Sequence, residues 1–320
     1  MNSSEKSLQT ISLLAIIILS VVSIDLLTDK ERDAETIYVV IDNRNQIENN
    51  STIEILNRSD VARIASFNIK VFGDTKMSNE TIVSELVTIF ERYDLVAVQE
   101  IKDIDQEVPY LFLDELNGNL TNSSFEWRLL LSQRTGIQED DQNSQEQYAY
   151  YYKSNVFSAV GNGTLYDDSG NDSFQREPFL GKFNLLDSEG NHTDTEIVLI
   201  NIHTKPTLAV EEMNALDEVI AWARNYFPDE NDFIILGDFN ADCSYASYNE
   251  IVNLPISSEN YTWLIPDDAD TTMSDSRCAY DRIVTTSDIE GKLTGTWGVD
   301  ENISGPEVSD HKPIWFDIIR

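Results

Sequence analysis

Short apolar runs rich in β-branched residues alternate with segments of helical spacing along residues 61–320. Such runs, bounded by polar residues, are typical of buried strands. They predict strands at 61–69, 95–98, 148–152, 197–202, 233–236, 282–284 and 314–318. Helices are predicted at 78–90, where Ile82, Leu86 and Ile89 have helical spacing, and at 210–226. Strands and helices mixed in this way indicate a layered α/β domain.

Several of the predicted strands have polar residues directly at one end. Five such groups occur, namely Asn68, Gln99-Glu100, His203, Asp238-Phe239-Asn240 and Asp310-His311. A single polar residue at a strand end is usually a loop cap, but five groups of Asn, Glu, Asp and His are hard to explain that way. Because ligands bind in crevices at strand ends, we expect these side chains to converge on one site.

The residue types at these strand ends suit phosphodiester hydrolysis. Glu100, Asp238 and Asp310 are hard oxygen ligands, so Mg²⁺ (or Mn²⁺) is the expected metal. His203 and His311 add acid–base capacity near neutral pH, one to activate water and one to protonate the leaving oxygen. The chain lacks G-x-x-x-x-G-K-[ST], G-x-G-x-x-G and G-x-S-x-G, so nucleotide binding and serine-hydrolase chemistry have no support.

Negative charge is spread along the whole chain. There are 22 Lys and Arg residues against 57 Asp and Glu residues, which gives a net charge of −35. Residues 1–60 hold 5 basic and 10 acidic residues, so the remainder carries −30. An anionic surface repels nucleic acid unless counterions, divalent metals or salt screen it. Such a surface also fits a high-salt environment.

The N-terminus and the cysteines bear on the compartment. Residues 11–24 are apolar or small, a length that suits a signal peptide better than a membrane span. We expect residues 1–27 to be a signal peptide or an N-terminal membrane anchor, residues 28–60 a polar linker or stalk, and residues 61–320 the functional domain. The protein is then extracellular or on the cell surface. Cys243 and Cys278 would form a disulfide in an exported chain and buried thiols in a cytosolic one.

Several strings of the sequence narrow the family. They are SFNIKVFGDTKMSN (66–79), VQEIKD (98–103), GNDSFQREP (170–178), INIHTKP (200–206), GDFNADCSY (237–245), WLIPDDADTT (263–272), CAYDRIV (278–284) and SDHKP (309–313). In order and spacing the chain resembles the pancreatic-type deoxyribonucleases of the endonuclease/exonuclease/phosphatase superfamily. GDFN and SDH alone indicate only the superfamily, whereas GNDSFxREP, DCSY and CAYDRIV point to the deoxyribonuclease branch.

The resemblance implies a fold and a set of site residues. The fold would be a four-layered sandwich of two packed mixed β-sheets flanked by helices. His203 would pair with Glu146, and His311 with Asp281, each carboxylate orienting its imidazole. Glu100 would bind the catalytic divalent ion. The residues around the scissile phosphate would be Asn68, Asp238, Asn240 and Asp310, the last a further candidate metal ligand.

The resemblance also implies structural and DNA-binding features. Structural Ca²⁺ would lie at Asp270 and Thr272 in one loop, and at Asp168, Asp172 and Glu177 in another. Cys243 and Cys278 would form the long-range disulfide of the family. The positions that would contact DNA are Lys70, Lys102 and Arg176. The family has arginine at the first two of these positions, and this chain has lysine there. Ser144 replaces a tyrosine that contacts the minor groove.

Together these observations predict an exported, divalent-metal-dependent endonuclease that cleaves DNA with little sequence specificity and acts as a monomer. Membrane contact would be made only by the N-terminal apolar segment, if it is not removed. Because position 144 has serine in place of the family's tyrosine, a phosphatase or phospholipase C-type hydrolase of the same superfamily stays an alternative. A non-catalytic binding module is a further alternative. It predicts erosion at His203, His311, Glu100 or Asp310, and none is seen.

Overall fold

The computed structural model describes residues 38–40, 54–56, 58–120, 124–137 and 144–320. The predicted signal peptide or anchor (1–27) and most of the predicted linker (28–60) lie outside the described residues. Within 28–60, the strand at Tyr38–Val40 pairs antiparallel with Glu54–Leu56. No helix in the described ranges is long and apolar enough to span a membrane.

The strands, in chain order, are β1 Tyr38–Val40, β2 Glu54–Leu56, β3 Val61–Phe72, β4 Leu95–Ile101, β5 Trp127–Leu131, β6 Gln147–Lys153, β7 Phe157–Leu165, β8 Phe179–Leu186, β9 His192–His203, β10 Phe233–Asp238, β11 Tyr261–Trp263, β12 Asp281–Thr286, β13 Leu293–Val299 and β14 Ile314–Ile319. The α-helices are α1 Asp74–Met77, α2 Glu80–Phe90, α3 Val108–Gly118, α4 Ala209–Asn214, α5 Leu216–Tyr226 and α6 Tyr248–Ile251. Short 3₁₀ turns lie at Arg58–Asp60, Pro206–Leu208, Pro255–Ser257 and Ser287–Lys292.

Apart from β1 and β2, the strands of the described chain form two six-stranded mixed sheets. The first sheet has the order β13-β14-β3-β4-β6-β5, and the second has the order β11-β12-β10-β9-β8-β7. In these two sheets β3 pairs with β4 in parallel, and so does β9 with β10. The remaining described pairs are antiparallel.

Three apolar clusters separate four layers. Side chains of both sheets, such as Ile64 and Leu199, pack together between them. The other face of the first sheet packs on α2 and α3, through residues such as Leu86. The other face of the second sheet packs on α4 and α5, through residues such as Leu216. This confirms the sandwich of two packed sheets flanked by helices.

The predicted strands are all present, and the differences have local causes. β3 runs on to Phe72, and the predicted helix at 210–226 consists of two helices that meet at Ala215. The Ala215 amide is shared between the carbonyls of Glu211 and Glu212, which tightens the helix there. The strands that the sequence did not predict include β7 and β13, in which Phe157 and Thr294 are the only buried residues, so neither strand has a continuous apolar run.

Strand pairing brings the polar strand ends to one edge. Asp238, the last residue of β10, is the pairing partner of His203 at the end of β9 and of Asp281 at the start of the antiparallel β12. In the first sheet, Asn68 pairs with Gln99. Across the two sheets, Gln99 Nε2 donates to Asn201 Oδ1 at 2.6 Å, so both sheets present these ends together.

Candidate active site

His203 is held by a buried carboxylate. Its Nδ1 lies 3.0 Å from Glu146 Oε1 and 3.1 Å from Oε2, and Glu146 is fully buried. Glu146 is fixed in turn by a β-bridge to Thr135 just before β6. A carboxylate on Nδ1 places a proton there and leaves Nε2 to face the site.

His311 is held in the same way. Its Nδ1 lies 2.9 Å from Asp281 Oδ2, and Asp281 is also fully buried. Burial acts to lower the pKa of His311, but the carboxylates of Asp281, Asp238 and Asp310 raise it to about 10. Thr271 positions this pair, because its Oγ1 accepts from the Asp281 amide and its carbonyl accepts from the Lys312 amide.

Asp238 lies between the two imidazoles. Its Oδ2 is 3.5 Å from Nε2 of His203 and 3.5 Å from Nε2 of His311. Asn68 Nδ2 donates to the same oxygen at 3.0 Å, and the Asn240 amide donates to Oδ1 at 3.0 Å. The two histidines, which are 108 residues apart in the sequence, therefore face one point.

Two further carboxylates flank this point and are paired with lysines. Glu100 Oε2 lies 3.4 Å from Lys102 Nζ and Asp310 Oδ2 lies 3.2 Å from Lys70 Nζ. Asn68 Nδ2 also donates to Glu100 Oε1 at 3.2 Å. Burial raises the pKa of Glu100, but His203, Lys102 and hydrogen bonds lower it to about 2. Glu100 is therefore ionised at neutral pH.

The residues at this edge fit a hard divalent cation. Glu100 and Asp238 converge on the single amide of Asn68, so two carboxylates share one neutral donor. Among the described residues, Asp238, Asp281 and His311 also have potential ligand atoms within 4.8 Å of one another. Carboxylate oxygens are the ligands that Mg²⁺ and Mn²⁺ prefer.

Asp168, Asp172 and Glu177 lie near one another, but they do not offer three ligand atoms within 4.8 Å of one another. Burial raises the pKa of Asp168, and the charges of Glu177 and Asp172 raise it further. Asp168 Oδ2 accepts from the Phe174 amide at 3.0 Å, and Glu177 Oε2 accepts from Thr135 Oγ1. Calcium at this loop stays a prediction, and the three carboxylates would have to move closer together to share one ion.

The loop with Asp270 and Thr272, the other predicted calcium site, holds a lysine side chain against its carboxylate and does not fit a calcium ion. Lys312 is buried, and its Nζ lies 3.0 Å from Asp270 Oδ2 and 3.0 Å from Glu301 Oε2. Thr272 Oγ1 is engaged with Asp270 Oδ1 at 3.3 Å and with the Ser276 carbonyl at 2.9 Å. The ammonium already neutralises the carboxylate that calcium would need, and it would repel a divalent ion bound there.

Replacing Lys312 by methionine will make this loop respond to calcium. Without the ammonium, Asp270 and Glu301 repel each other, and bound Ca²⁺ at about 100 times its Kd would add about 2.7 kcal/mol to the free energy of unfolding. The measurement is the calcium-induced shift in Tm of wild type and K312M. Any calcium bound at the Asp168 loop shifts the Tm of both proteins equally. Equal shifts in wild type and K312M would therefore show that Lys312 does not keep calcium from the Asp270 loop.

Arg176 makes its contacts inside the protein. Arg176 is 5% exposed, and its Nε and Nη2 donate to the carbonyls of His203 and Thr204 at 3.0 and 2.9 Å. The position predicted to contact DNA therefore supports the backbone of His203.

A disulfide joins Cys243 to Cys278 with their Cα atoms 5.8 Å apart, as the resemblance implies.

Comparisons with known proteins identify the family. The Endonuclease/Exonuclease/phosphatase family matches residues 65–311. Deoxyribonuclease-1 of Rattus norvegicus is 38% identical over 237 residues, which are 72% of this chain and 79% of that protein. Deoxyribonuclease-1 of Homo sapiens is 34% identical over 269 residues, 79% of this chain and 90% of that protein.

The chain belongs to the deoxyribonuclease I family. A solved endonuclease/exonuclease/phosphatase from Bacteroides vulgatus matches 81% of this chain and 99% of its own, with a TM-score of 0.55 and 14% identity. At that identity the likeness shows a shared fold. The curated relatives place the chain in the narrower family, as its sequence strings predict.

Two residues that support this site in the structure, Tyr148 and Glu212, are absent from the sequence prediction. Tyr148 Oη accepts from the His203 amide at 3.0 Å. Glu212, buried on α4, accepts from the amides of Gln175 and Lys205, both at 3.0 Å. Burial raises the pKa of Glu212 to about 7. The sequence does carry a signal for Glu212, because it is an acidic residue on the apolar face of a predicted helix.

Proposed function

We propose that this chain is an exported, divalent-metal-dependent endonuclease that hydrolyses phosphodiester bonds of DNA with little sequence specificity. One observation carries the proposal. Two imidazoles, each held through Nδ1 by its own buried carboxylate, present Nε2 to the same oxygen of Asp238 at 3.5 Å. A phosphate beside Asp238 would have an acid–base group on either side.

The two histidines would divide the proton transfers of hydrolysis. One Nε2 accepts a proton as water attacks phosphorus, and the other donates a proton as the bond from phosphorus to the leaving sugar oxygen breaks. Glu146 and Asp281 stabilise whichever imidazole is cationic. Asn68 Nδ2 donates to Glu100 and Asp238 in the structure, and it would turn to a phosphate oxygen once a cation takes up these carboxylates. Asn240 would hold Asp238 beside the phosphate, because its backbone amide donates to Asp238 Oδ1. The proton count balances, because one imidazole gains the proton that the other gives up.

Glu100 and Asp310 are the residues that would hold the catalytic cation. The ion would neutralise charge on the phosphate as it accumulates in the transition state. Lys102 and Lys70 pair with these two carboxylates in the structure. A bound cation would compete for Glu100 and Asp310, and both ammonium groups would then be free to contact DNA phosphates.

DNA is favoured over other phosphate esters by the relatives, which are named deoxyribonucleases at 34–39% identity. Little sequence specificity follows from the lysines at positions 70 and 102. A lysine contacts phosphate as a point charge and lacks the planar fork with which arginine recognises base acceptors. Cations are also needed to screen a chain of net charge −35 against a polyanion.

The proposal includes export and a monomeric state. The disulfide supports an oxidising compartment, because disulfides are rare in the cytosol. The apolar segment at 11–24 supports export as well, with the protein either released or held at the cell surface. The acid–base groups and metal ligands of the site all come from one chain, which supports function as a monomer.

Supercoiled plasmid will be converted to nicked and then linear DNA by the protein with Mg²⁺ or Mn²⁺, and EDTA will abolish the reaction. Without the cation, Glu100 and Asp310 repel the phosphate that they otherwise help to bind. Calcium alone, a salt series and circular dichroism of the EDTA-treated protein complete the measurement. Folded protein that cleaves no DNA under any of these conditions would overturn the proposal, and phosphoinositides and sphingomyelin would be tested next.

A further inference from the structure

The backbone at the end of β3 is strained directly beside the site. Lys70 and Val71 both have φ of +50°, in the left-handed region. This region is costly for a residue with a side chain, and most costly for a β-branched one such as Val71. Two such residues in succession persist only where the surrounding structure holds them.

The ammonium of Lys76, in the short helix α1, holds this turn. Lys76 Nζ donates to the carbonyls of Ile69 and Lys70, both at 2.5 Å, and to the carbonyl of Val308 at 2.8 Å. Lysine has three N–H donors, so three carbonyls satisfy it completely. The first two carbonyls belong to the strained turn, and the third belongs to the segment that leads to Asp310 and His311.

The strained turn delivers groups to the site. The Val71 amide donates to Glu100 Oε2 at 2.9 Å, and the Lys70 amide donates to Asn68 Oδ1 at 2.9 Å. The latter bond leaves Asn68 Nδ2 to face Glu100 and Asp238. Nearby, Ser309 Oγ donates to the Asn68 carbonyl at 2.6 Å, so the 308–310 segment is fastened to the same turn.

We propose that Lys76 is a positioning residue: by joining three carbonyls it fixes the Lys70–Val71 turn, and the turn sets the orientation of Glu100 and Asn68. The catalytic consequence rests on the proposed function. The structural consequence does not, because it concerns the Val71 amide and the turn alone.

Removing the ammonium leaves three carbonyls without their donor and the left-handed pair without support. The turn would then relax toward ordinary backbone angles and take the Val71 amide away from Glu100. Displacement of catalytic groups by about 1 Å costs about 100-fold in rate. We therefore expect K76M to lower kcat about 100-fold and to change the KM for DNA by less than about threefold.

Lys153 offers a matched control. Like Lys76 it is a partly buried lysine, with Nζ 3.2 Å from Asp94 Oδ1, but it ends β6 at the opposite end of the strand from Glu146. A strand rises about 3.3 Å per residue, so Lys153 lies about 20 Å from that end. K153M should lower Tm and leave kcat unchanged.

The first experiment compares amide hydrogen exchange in full-length wild type, K76M and K153M at pH 7. We expect the Val71 amide to exchange at least about 10-fold faster in K76M alone, while the amides of β4 and β10 remain protected in all three proteins. Unchanged exchange at Val71 would overturn the proposal whether or not the protein cleaves DNA.

The second experiment measures nicking kinetics and restores the ammonium chemically. The two cysteines of the sequence are joined to each other, so K76C introduces a single free thiol, which bromoethylamine converts into a lysine analogue. We expect K76C to be as slow as K76M and aminoethylated K76C to regain most of the wild-type kcat. Treated wild type is the control for the reagent.

The outcomes distinguish a failure of the proposed function from a failure of the positioning role of Lys76. If wild type itself cleaves no DNA, the proposed function fails, and the exchange of the Val71 amide still decides the role of Lys76. If wild type cleaves and K76M has the wild-type kcat, the positioning role is overturned. If aminoethylation restores folding or Tm but not kcat, it is overturned as well.

Discussion

Alanine in place of His203 or His311 will lower the rate of plasmid nicking by about 10²- to 10⁴-fold, the range that general acid–base groups contribute. Each substitution removes one of the two Nε2 atoms that face Asp238. The remaining histidine cannot both accept the proton of water and donate one to the leaving oxygen. The double variant should be nearly as active as either single variant, because residues that act as a unit are not additive.

His192 supplies the control for these variants. It is the third histidine of the sequence, and its exposed side chain lies at the start of β9, with Nδ1 3.1 Å from Asn184 Nδ2. H192A should nick plasmid at the wild-type rate. Circular dichroism and Tm would show that H203A and H311A are folded. Nicking by the folded double variant at the wild-type rate would show that the site lies elsewhere.

Removing the disulfide with the double substitution C243S/C278S will lower the free energy of unfolding by about 3–4 kcal/mol. The bridge closes a loop with a sequence separation of 35 residues, and opening it lets the unfolded chain sample many more conformations. The measurement is urea denaturation of the double variant and of wild type. Wild type in reductant should match the variant, and equal midpoints for all samples would contradict the prediction.

The same double variant should keep its nicking rate at urea concentrations well below its midpoint. The segments that the bridge joins carry Asn240 and Asp281, but other bonds fix them. Asp281 pairs with Asp238 between β12 and β10, and the Ala279 amide donates to Asp242 Oδ2 at 2.8 Å. We therefore expect a change in stability with little change in kcat. A large loss of rate in folded protein would mean that the disulfide itself orients Asp281.

Local sequence predicted much of the fold because its signals are local. The β-branched runs became β3, β4, β6, β9, β10, β12 and β14, and Asn79 caps α2 by accepting from the amides of Thr81 and Ile82. Polar residues at strand ends predicted one convergent site, since the ends of adjacent strands meet at one edge of a sheet. The pairing of each histidine with its carboxylate came from the resemblance to a family, because nothing local relates His203 to Glu146.

The sequence by itself determined the strands, the α/β class, the family and the polar residues of the site, because periodicity and motifs are written in neighbouring residues. Only the tertiary structure decided the roles of three cations. Lys312 neutralises Asp270, Lys76 holds the strained turn, and Arg176 supports the carbonyls behind His203. A long cationic side chain is read from sequence as a surface charge or a DNA contact. Which carbonyl or carboxylate it reaches is set by the folded backbone, since the partners lie 6 residues away for Lys76 and Lys70, 27 for Arg176 and His203, and 42 for Lys312 and Asp270.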